Sequence, residues 1–420
     1  MRLSVLILAV VVSCSKAEAP VEAPAVAEPV GAPAVDARAA PKPAPKPAPK
    51  PAARALPAPV PAAPSKPPLV LAGEASYMRL CSLCHGKKAE GYAADNAPSL
   101  VNPTFLATAT DDFLRAAIER GRPGTAMGSY GKVYGGPLEA PEVAALLAFI
   151  RWGGPPRVSL SPAPVVGDAG RGKLVYDAQC TKCHGTPTQR ADALHLANPT
   201  LLQTASDAFL KHAVVEGRPG TRMPSFKGPL SPPQIDDVVA YLRSLAPSGP
   251  VEQPVPPGLE PAPTLDGPII INPRGKPANL KLQGERLASL DDVKKALDDK
   301  RRIIILDARA PSEWRRLHIT GSVSLPYYDL KGIDKLPNDG TWIIAYCACP
   351  HHASGVVVDE LRKRHFEHSA VLDEGVFAWQ HKGYPVVAEP GSLPSPAPPP
   401  PPRMAVPVEP RHAGKHKEIK

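Results

Sequence analysis

Residues 81–85 read Cys-Ser-Leu-Cys-His, and residues 180–184 read Cys-Thr-Lys-Cys-His, so one five-residue spacing occurs twice in the chain. The surroundings of the two motifs also agree. Residues 102–127 match residues 198–223 along their whole length, and both stretches end in Gly-Arg-Pro-Gly-Thr-x-Met. Duplication of one unit explains this agreement. The sequence therefore predicts two successive domains with the same fold.

The Cys-x-x-Cys-His spacing is the attachment signature of c-type haem. If the motif begins a helix, positions i, i+3 and i+4 share one face, so that two thiols and an imidazole point the same way. The thiols then bond the haem covalently and the imidazole binds its iron. We expect two haem c groups. The predicted attachment residues are Cys81, Cys84 and His85 in the first repeat, and Cys180, Cys183 and His184 in the second.

Other uses of paired cysteines have to be weighed against haem. A Cys-x-x-Cys pair also serves as a zinc half-site or as a redox dithiol, and two pairs can build one four-cysteine zinc site. Here each pair opens its own complete repeat and is followed directly by a histidine, which favours haem. Each repeat also supplies one methionine, Met127 or Met223, in the same loop context.

These two methionines are the predicted second axial ligands. A methionine ordinarily fills space in a hydrophobic core. This chain has only 5 methionines, however, and Met127 and Met223 occupy equivalent places in a Gly/Pro loop after a predicted helix. Methionine is a known axial partner of histidine; the pair raises the reduction potential and leaves no open position on the iron. We therefore expect centres that carry single electrons.

Both repeats resemble class I cytochromes c, and the Gly-Arg-Pro-Gly-Thr-x-Met segment is similar to the dihaem subunits of some haem–copper oxidases. The resemblance implies a small all-α fold around each haem, with Tyr77 and Tyr176 of the first helix near the last helix. The last helices are predicted at 141–152 and 232–245, each with a proline near its start, where the missing N–H costs little.

One position departs from the pattern of that family. The family often has a proline whose carbonyl holds the proximal imidazole, and the first repeat has Pro98 there. The second repeat has Leu194 at the matching position. Since such supporting groups orient a ligand and tune its metal, the departure predicts a difference in how His184 is held.

The character of the chain changes over residues 285–388. β-Branched runs at 303–306 and 342–346 predict strands, while the patterns at 289–300 and 353–365 predict helices. Alternation of strands and helices indicates an α/β domain with a parallel sheet. The expected fold class is thus multidomain: two all-α cytochrome c domains followed by an α/β domain, joined by Pro-rich linkers.

This last domain resembles a rhodanese domain. The matching pieces are Leu306-Asp307-Ala308-Arg309, Glu313-Trp314, His318-Ile319-x-Gly321-Ser322, Leu325-Pro326, Tyr346-Cys347 and Trp379-x-x-x-Gly383-Tyr384-Pro385. That family uses the cysteine at the strand end as a nucleophile that carries sulfane sulfur as a persulfide. Loop N–H groups and the following helix N-terminus stabilise its thiolate. The resemblance implies that Cys347 is the nucleophile, with Cys349, His352 and Asp307 as further candidates.

The loop after Cys347 departs from the rhodanese pattern. Pro350 replaces a common glycine and removes an N–H donor, and His352 replaces a common arginine, which makes anion binding pH-dependent. Cys349 adds a thiol that can accept sulfur, close a disulfide or bind a metal. Sulfur transfer at Cys347, an idle docking domain and thiol redox chemistry all stay open, because a fold alone does not establish an activity. Whether the chain is a sulfurtransferase is therefore undecided from the sequence.

The N-terminus has the pattern of a targeting segment. Arg2 precedes the apolar residues 3–12, which are too few to span a bilayer. The run ends in Val-Val-Ser-Cys at Cys14 and resembles a bacterial lipobox, which implies a lipid on Cys14. A cleaved signal peptide and a short uncleaved anchor are the alternatives. We expect anchoring on the periplasmic side of a bacterial envelope, and Ser15 after the cysteine favours the outer membrane.

Composition bounds the remainder of the chain. The 420 residues include 57 prolines, concentrated in tracts that cannot bury a core. The net charge of +9 accompanies no nucleic-acid motif, so we expect no nucleic-acid partner. The resemblances to cytochromes c and to rhodanese imply redox proteins (other cytochromes, an oxidase or a reductase) and small sulfur compounds such as thiosulfate as partners. The sequence predicts a signal segment at 1–14 and an Ala/Pro/Lys-rich linker at 15–69. Cytochrome c domains follow at 70–153 and 167–246, with a linker at 154–166 between them. After a linker at 247–265 come the rhodanese-like domain at 266–390, with its core at 285–388, and a Pro-rich basic tail at 391–420.

Overall fold

The structure is a computed structural model that describes residues 65–249, 262–348 and 351–389. The predicted lipidation site Cys14, most of the first linker and the basic tail lie outside these ranges, as do Cys349 and Pro350. Within the described ranges, no helix is both long enough and apolar enough to cross a membrane. The boundaries given above for the domains and linkers stay predictions.

The first repeat is all-helical, as its sequence predicts. Its helices are α1 (Pro68–Leu80), α2 (Ser82–His85), α3 (Pro103–Thr108), α4 (Asp111–Arg120) and α5 (Ala140–Arg151). Side-chain caps set the starts of the central helices, because the Asn102 side chain accepts from the N–H of Phe105 and the Thr110 side chain accepts from the N–H of Phe113. At the start of α5, Glu139 and Glu142 form a reciprocal capping box.

The second repeat has the same order of helices, which confirms the duplication. It consists of α6 (Ala169–Gln179), α7 (Thr181–His184), α8 (Pro199–Thr204), α9 (Asp207–Glu216) and α10 (Pro232–Ser244). Asn198 and Ser206 cap α8 and α9 at the positions that correspond to the caps of the first repeat. The predictions of a last helix at 141–152 and at 232–245 are confirmed to within one residue at each end.

The first and last helices of each repeat cross at a glycine. A Cβ placed on Gly73 of α1 would lie 2.0 Å from the carbonyl oxygen of Ala145, and one on Gly172 of α6 would lie 1.9 Å from that of Asp237. Only a residue without a side chain lets the two backbones approach this closely. The crossing fixes the position of the haem-attachment motif, which follows directly on the first helix.

The two repeats contact each other in a reciprocal way. Asn102 donates its Nδ2–H to the carbonyl of Pro219 at 2.9 Å, and Asn198 donates to the carbonyl of Pro123 at 3.0 Å. Phe209 of the second repeat packs against Phe113 of the first, with ring centroids 4.9 Å apart. Each cap residue therefore also ties its own repeat to the Gly-Arg-Pro-Gly-Thr-x-Met loop of the other.

The C-terminal part is an α/β domain around a six-stranded sheet. Its elements are β1 (Leu282–Gln283), β2 (Leu287–Ala288), α11 (Leu290–Asp298), β3 (Ile303–Asp307), α12 (Pro311–Arg316), β4 (Leu317–Ile319), β5 (Val323–Ser324), β6 (Trp342–Tyr346), α13 (His352–Lys363), β7 (Ser369–Leu372), α14 (Gly375–His381) and β8 (Val386–Ala388). In the six-stranded sheet the strand order is β1-β2-β7-β6-β3-β5; its β1–β2 pair is antiparallel and its other pairs are parallel. Strands β4 and β8 form a separate antiparallel pair.

The sequence patterns predict the centre of this sheet correctly. The expected strands at 303–306 and 342–346 are β3 and β6, which are paired in parallel and almost fully buried. Ser289 caps α11 by accepting from the N–H of Asp292 at 3.0 Å. Fully buried parallel strands read as continuous apolar runs rather than as alternation, which is why they are visible in the sequence. The carboxyl end of β6 leads straight into Cys347.

The glycine crossing generates a test with a control in the same helix. We expect Gly172→Ala to lower the free energy of unfolding by about 2–3 kcal/mol, because the new methyl group overlaps a backbone carbonyl of α10. Gly170→Ala in the same helix has only a side-chain oxygen of Asp168 nearby, at 3.2 Å, and should change it by less than about 1 kcal/mol. Denaturant unfolding of the haem-loaded protein measures both, and equal effects would contradict the close crossing.

Candidate functional site

The two Cys-x-x-Cys-His motifs adopt the helical turn that the sequence predicts. In the first repeat, the N–H of Cys84 and that of His85 both donate to the carbonyl of Cys81, at 3.2 and 3.0 Å. In the second, the N–H groups of Cys183 and His184 donate to the carbonyl of Cys180 at 3.1 and 2.9 Å. All four cysteines are thiols rather than disulfide partners. One turn of helix therefore gathers two thiols and an imidazole in each repeat.

Each histidine is oriented by a backbone carbonyl. The Nδ1–H of His85 donates to the carbonyl of Pro98 at 2.9 Å, and the Nδ1–H of His184 donates to that of Leu194 at 2.7 Å. Because a carbonyl only accepts, the proton sits on Nδ1 and the lone pair on Nε2 is left for a metal. Leu194 thus supplies the same acceptor as a proline, and the departure noted in the sequence leaves this hydrogen bond in place.

Burial favours the neutral form of both imidazoles. It lowers the pKa of His85 below the ordinary value, an effect that the hydrogen bond to Pro98 partly offsets. It lowers the pKa of His184 in the same way, with Leu194 as the opposing partner. The neutral imidazole is the form that binds a metal.

A ring of hydrogen bonds holds each methionine loop. The backbone N–H of Arg122 donates to the carbonyl of Met127 at 2.7 Å, while the Thr125 hydroxyl donates to the carbonyl of Arg122 and accepts from the N–H of Met127. The second repeat has the same bonds among Arg218, Thr221 and Met223. The sequence predicts a role for the methionines, which stays a prediction, but sequence reasoning missed the threonines. The repetition of threonine at the same offset was the available signal.

A buried tyrosine braces each motif from the side of the first helix. Tyr77 donates its hydroxyl to the carbonyl of Gly86 at 2.6 Å, and Tyr176 donates to that of Gly185 at 2.9 Å. The ring of Tyr176 lies 5.2 Å from that of Tyr241 on the last helix, which confirms the packing expected for these tyrosines. The residue after each histidine is thereby fixed in place.

The donor set of each repeat fits a covalently bound haem. Burial raises the pKa of Cys81 and of Cys84 to about 12 and that of Cys180 to about 11, so these groups are neutral thiols at neutral pH. Neutral thiols, a neutral imidazole with a lone pair on Nε2 and a thioether on a hydrogen-bonded loop are the groups that haem c requires. Both repeats present this set on an apolar core.

The rhodanese-like part places Cys347 between the end of β6 and the start of α13. The thiol is 1% exposed and its Sγ lies 3.3 Å from Oγ of Ser354 in the first turn of that helix. The carbonyl of Cys347 accepts from the N–H of Val376 at 3.0 Å, and a Cβ on Gly375 would come within 2.3 Å of the same oxygen. Ser354 was not predicted from the sequence; a hydroxyl residue in the first turn after the loop was the available signal.

The other residues predicted for this site have different surroundings. The buried carboxylate of Asp307 forms an ion pair with Arg309 at 2.6 Å, which gives it a role in shaping the sheet end. His352 is exposed at the start of α13. The neighbouring His351 contacts Asp373, with Nε2 and Oδ1 2.7 Å apart. Cys349, the remaining candidate, lies outside the described residues.

The loop around Cys347 also meets the first cytochrome repeat, a contact that sequence reasoning missed. A small cavity lies between the two parts. It is lined by Leu83, Cys84, Ala126, Gly128 and Tyr130 from the first repeat, and by Arg309, Ala310, Glu313, Tyr327, Cys347, Ala348 and Ala353 from the C-terminal part. Local sequence patterns do not predict a contact between residues that are so far apart in the chain.

Comparison with known families agrees with both halves of this description. The model of the cbb3-type cytochrome c oxidase subunit III family matches residues 68–150 and 167–242, and the rhodanese-like domain model matches residues 289–382. A cytochrome c6 from Thermosynechococcus vestitus is 32% identical over 99 residues, which cover 22% of this chain and 83% of that protein. The chain belongs to the c-type cytochromes. A rhodanese-like domain follows the two cytochrome repeats.

More distant relatives share only part of this c-type cytochrome. The cbb3-type cytochrome c oxidase subunit CcoP from Azospirillum sp. is 29% identical over 195 residues, which are 42% of this chain and 62% of that subunit. The chain thus spans about three fifths of the length of that relative. The solution structure of a rhodanese-like domain from Anabaena sp. is 26% identical, covering 31% of this chain and 98% of that domain with a TM-score of 0.24. Similarity to cytochromes c implies covalently bound haem c in this chain.

The tyrosine brace gives a stability test. We expect Tyr176→Phe to lower the free energy of unfolding of the haem-loaded protein by about 1–3 kcal/mol, since it leaves the Gly185 carbonyl without its buried donor. Tyr241→Phe keeps the ring contact with Tyr176 and does not touch that hydrogen bond, so it should cost less. Denaturant titrations of both variants check this, and an equal or larger loss for Tyr241→Phe would contradict it.

Proposed function

We propose that this chain is a dihaem electron carrier with one haem c in each repeat. Cys81 and Cys84 would hold one group covalently, and Cys180 and Cys183 would hold the other. His85 with Met127 and His184 with Met223 would supply the ligands to the two irons. Haem iron with histidine and methionine ligands exchanges single electrons and has no open position for oxygen or substrate. The observation that carries the proposal is the hydrogen bond from each histidine Nδ1–H to a backbone carbonyl, which repeats in both domains.

The surrounding residues keep the ligands in place while the charge on each centre changes. The carbonyls of Pro98 and Leu194 fix the imidazole tautomer, and the threonines in the two methionine loops fix the loop backbone. A ligand set that is held rigidly needs little rearrangement when an electron arrives. The apolar core around each site excludes water, which supports a high reduction potential.

We further infer that the rhodanese-like domain carries sulfane sulfur on Cys347. The thiolate would attack the outer sulfur of a donor such as thiosulfate; a new S–S bond to Sγ forms, the donor's own S–S bond breaks, and sulfite leaves with the electron pair. Supporting features are the position of Cys347 at the end of β6, the start of the 12-residue helix α13 behind it and the Ser354 hydroxyl 3.3 Å from Sγ.

A second candidate role for this domain is docking without catalysis or thiol redox sensing. The observation that favours it is the burial of Cys347, which is 1% exposed beside the first cytochrome repeat. In that case the domain would cover one surface of the cytochrome, and Cys347 would not accept sulfur from a donor. The persulfide measurement described below separates the two roles.

The proposed location is the periplasmic side of a bacterial envelope, with a lipid on Cys14 as the anchor and the outer membrane favoured. Support comes from the cysteine directly after the apolar residues 3–12 and from the attachment of c-type haem outside the cytoplasm. The expected partners are other cytochromes, an oxidase or a reductase. The relatives named as cbb3-type oxidase subunits support a partner of the oxidase kind.

The number of haems can be counted directly. We expect the intact mass of the mature wild-type protein to include two haems, and that of Cys180→Ser/Cys183→Ser to include one. Cys81→Ser/Cys84→Ser is the matched variant and should also retain one. Neither iron of the wild type should bind carbon monoxide, whereas Met223→Ala opens one position for it.

The same mass measurement reports on the lipid at Cys14. Wild-type protein without haem, or with haem that acid-acetone extracts, would contradict the proposal.

Sulfur loading of Cys347 gives the second test. After treatment with thiosulfate, wild type should carry one added sulfur on Cys347, and Cys347→Ser should carry none and form no thiocyanate when cyanide is added. Ser354→Ala should load more slowly, because it removes the hydroxyl nearest to Sγ. Cys349→Ser is the control with the other thiol of the loop removed, and it should still load. Equal loading of wild type and Cys347→Ser would assign the domain to docking or sensing.

A further inference from the structure

The rhodanese-like domain and the first cytochrome repeat share an interface of hydrogen bonds and apolar contacts. Its bonds run from side chains of the C-terminal domain to the repeat: Ser312 Oγ–H to the Ser129 carbonyl at 2.7 Å, Arg315 to the Gly135 carbonyl at 2.9 Å, Arg316 to the Ser129 hydroxyl at 3.2 Å, and the Tyr327 hydroxyl to the Leu80 carbonyl at 2.5 Å. Leu83 and Ala126 pack against the hydrophobic cluster that contains Cys347.

The covered surface is the one that carries the haem-attachment thiol and the methionine loop. Leu83 precedes Cys84 directly, and Ala126 precedes Met127 directly. Because thioether bonds and the methionine ligand lie at the haem, the residues next to them surround its edge. Cys347 and Cys84 line the same cavity. The sulfur site therefore faces the first haem site across that cavity.

The second repeat differs at the matching positions. Leu83 corresponds to Lys182 and Ala126 to Arg222, and both charged side chains are exposed. Ser129 is 0% exposed under the C-terminal domain, whereas its counterpart Ser225 is exposed. Small and apolar residues thus occur where the surface is covered, and charged residues occur where it faces solvent. The two repeats have diverged at the surface through which a haem exchanges electrons.

We propose that the first repeat accepts electrons from sulfur bound at Cys347 within the same chain, and that the second repeat passes them to other redox proteins. This inference rests on the proposed function, namely a haem in each repeat and a sulfur-binding thiol at Cys347. It adds a direction of electron transfer to that function. Electrons pass from the sulfur site to the first repeat, then to the second repeat, and finally to an external acceptor.

The reaction class that fits is oxidative coupling of Cys347 with a small sulfur anion such as thiosulfate. An S–S bond forms between Sγ and the outer sulfur of thiosulfate, no bond breaks, and two electrons leave. The oxidant is ferric haem c, one for each electron, so a chain with two such groups accepts both. Three negative charges on the thiolate and thiosulfate become one on the adduct.

The lining of the cavity supports a step that removes charge. Arg309 lies at the cavity, but its guanidinium is already paired with Asp307 at 2.6 Å. Leu83, Ala126 and Ala353 contribute only apolar surface. Since an uncompensated charge is costly in such surroundings, the less charged adduct is favoured over the separate anions.

The test compares two variants that each add an arginine to the C-terminal domain of the full-length, haem-loaded protein. Ser312→Arg places the side chain in the interface, where Ser312 is 6% exposed, and Thr320→Arg places it on the exposed surface. With oxidised protein and thiosulfate, we expect Ser312→Arg to slow haem reduction by about tenfold or more, because the sulfur site moves away from the first repeat. Thr320→Arg should react like the wild type.

Two further measurements complement the rate of haem reduction. Alkylation of Cys347 by iodoacetamide should be faster in Ser312→Arg than in Thr320→Arg, because separation of the domains exposes the thiol. Mass spectrometry should find the thiosulfate adduct on Cys347 of the oxidised wild type. Equal alkylation in the two variants would overturn the domain contact, and faster alkylation with unchanged haem reduction would overturn the electron route.

Removal of single haems tests the direction. Cys180→Ser/Cys183→Ser should still show thiosulfate-dependent reduction of the first haem, with the second electron passing to the ferric haem of another chain, while Cys81→Ser/Cys84→Ser should abolish reduction of the second. Reduction of the second haem in the latter variant would overturn the order. Failure of Cys347 to take up sulfur in any form in the wild type would instead refute the proposed function itself. The two failures are therefore distinguishable.

Discussion

The geometry of each proposed haem site depends on one hydrogen bond, from the Nδ1–H of the motif histidine to a loop carbonyl. It is 2.9 Å long from His85 to Pro98 and 2.7 Å long from His184 to Leu194. The bond decides which nitrogen carries the proton, and it also stops rotation of the ring. Without this hydrogen bond, a buried neutral imidazole would have no preferred tautomer or orientation in which to present a nitrogen lone pair to a metal. The helical turn that precedes each histidine and the tyrosine brace beside it then only have to hold the backbone.

Reciprocal packing turns two such sites into one unit. Asn102 and Asn198 each cap a helix with the side-chain oxygen and donate the amide N–H across to the other repeat. The acceptors are Pro219 and Pro123, inside the loops that lead to the methionines. A displacement of one repeat would therefore act directly on the Gly-Arg-Pro-Gly-Thr-x-Met loop of the other. In the proposed dihaem carrier, this coupling would keep the two centres at a constant separation.

Local features were predictable from the sequence and long-range contacts were not. Spacing and hydrophobic runs are properties of neighbouring residues, so they predict local features. These features are the two Cys-x-x-Cys-His motifs, the last helix of each repeat, and the strands β3 and β6. The role of the Leu194 carbonyl was not predicted, because the family pattern specifies a proline at this position. The hydrogen bond uses only the backbone carbonyl, which leucine also has. Asp307 was a candidate for catalysis in the sequence. Its ion pair with Arg309 is a side-chain contact that the order of residues does not reveal. The burial of Cys347 against the first repeat depends on residues far away in the chain.

Divergence between the two repeats carries more functional information than their similarity. Shared residues such as Gly73 and Gly172 are required by the helix crossing and would be kept in any cytochrome of this fold. Differences at the surface next to the attachment cysteines have no such structural cause. The leucine beside Cys84 packs against the C-terminal domain, whereas the lysine beside Cys183 is exposed to water. The residues of each surface therefore agree with what that surface faces: a domain of the same chain in the first repeat, and solvent in the second.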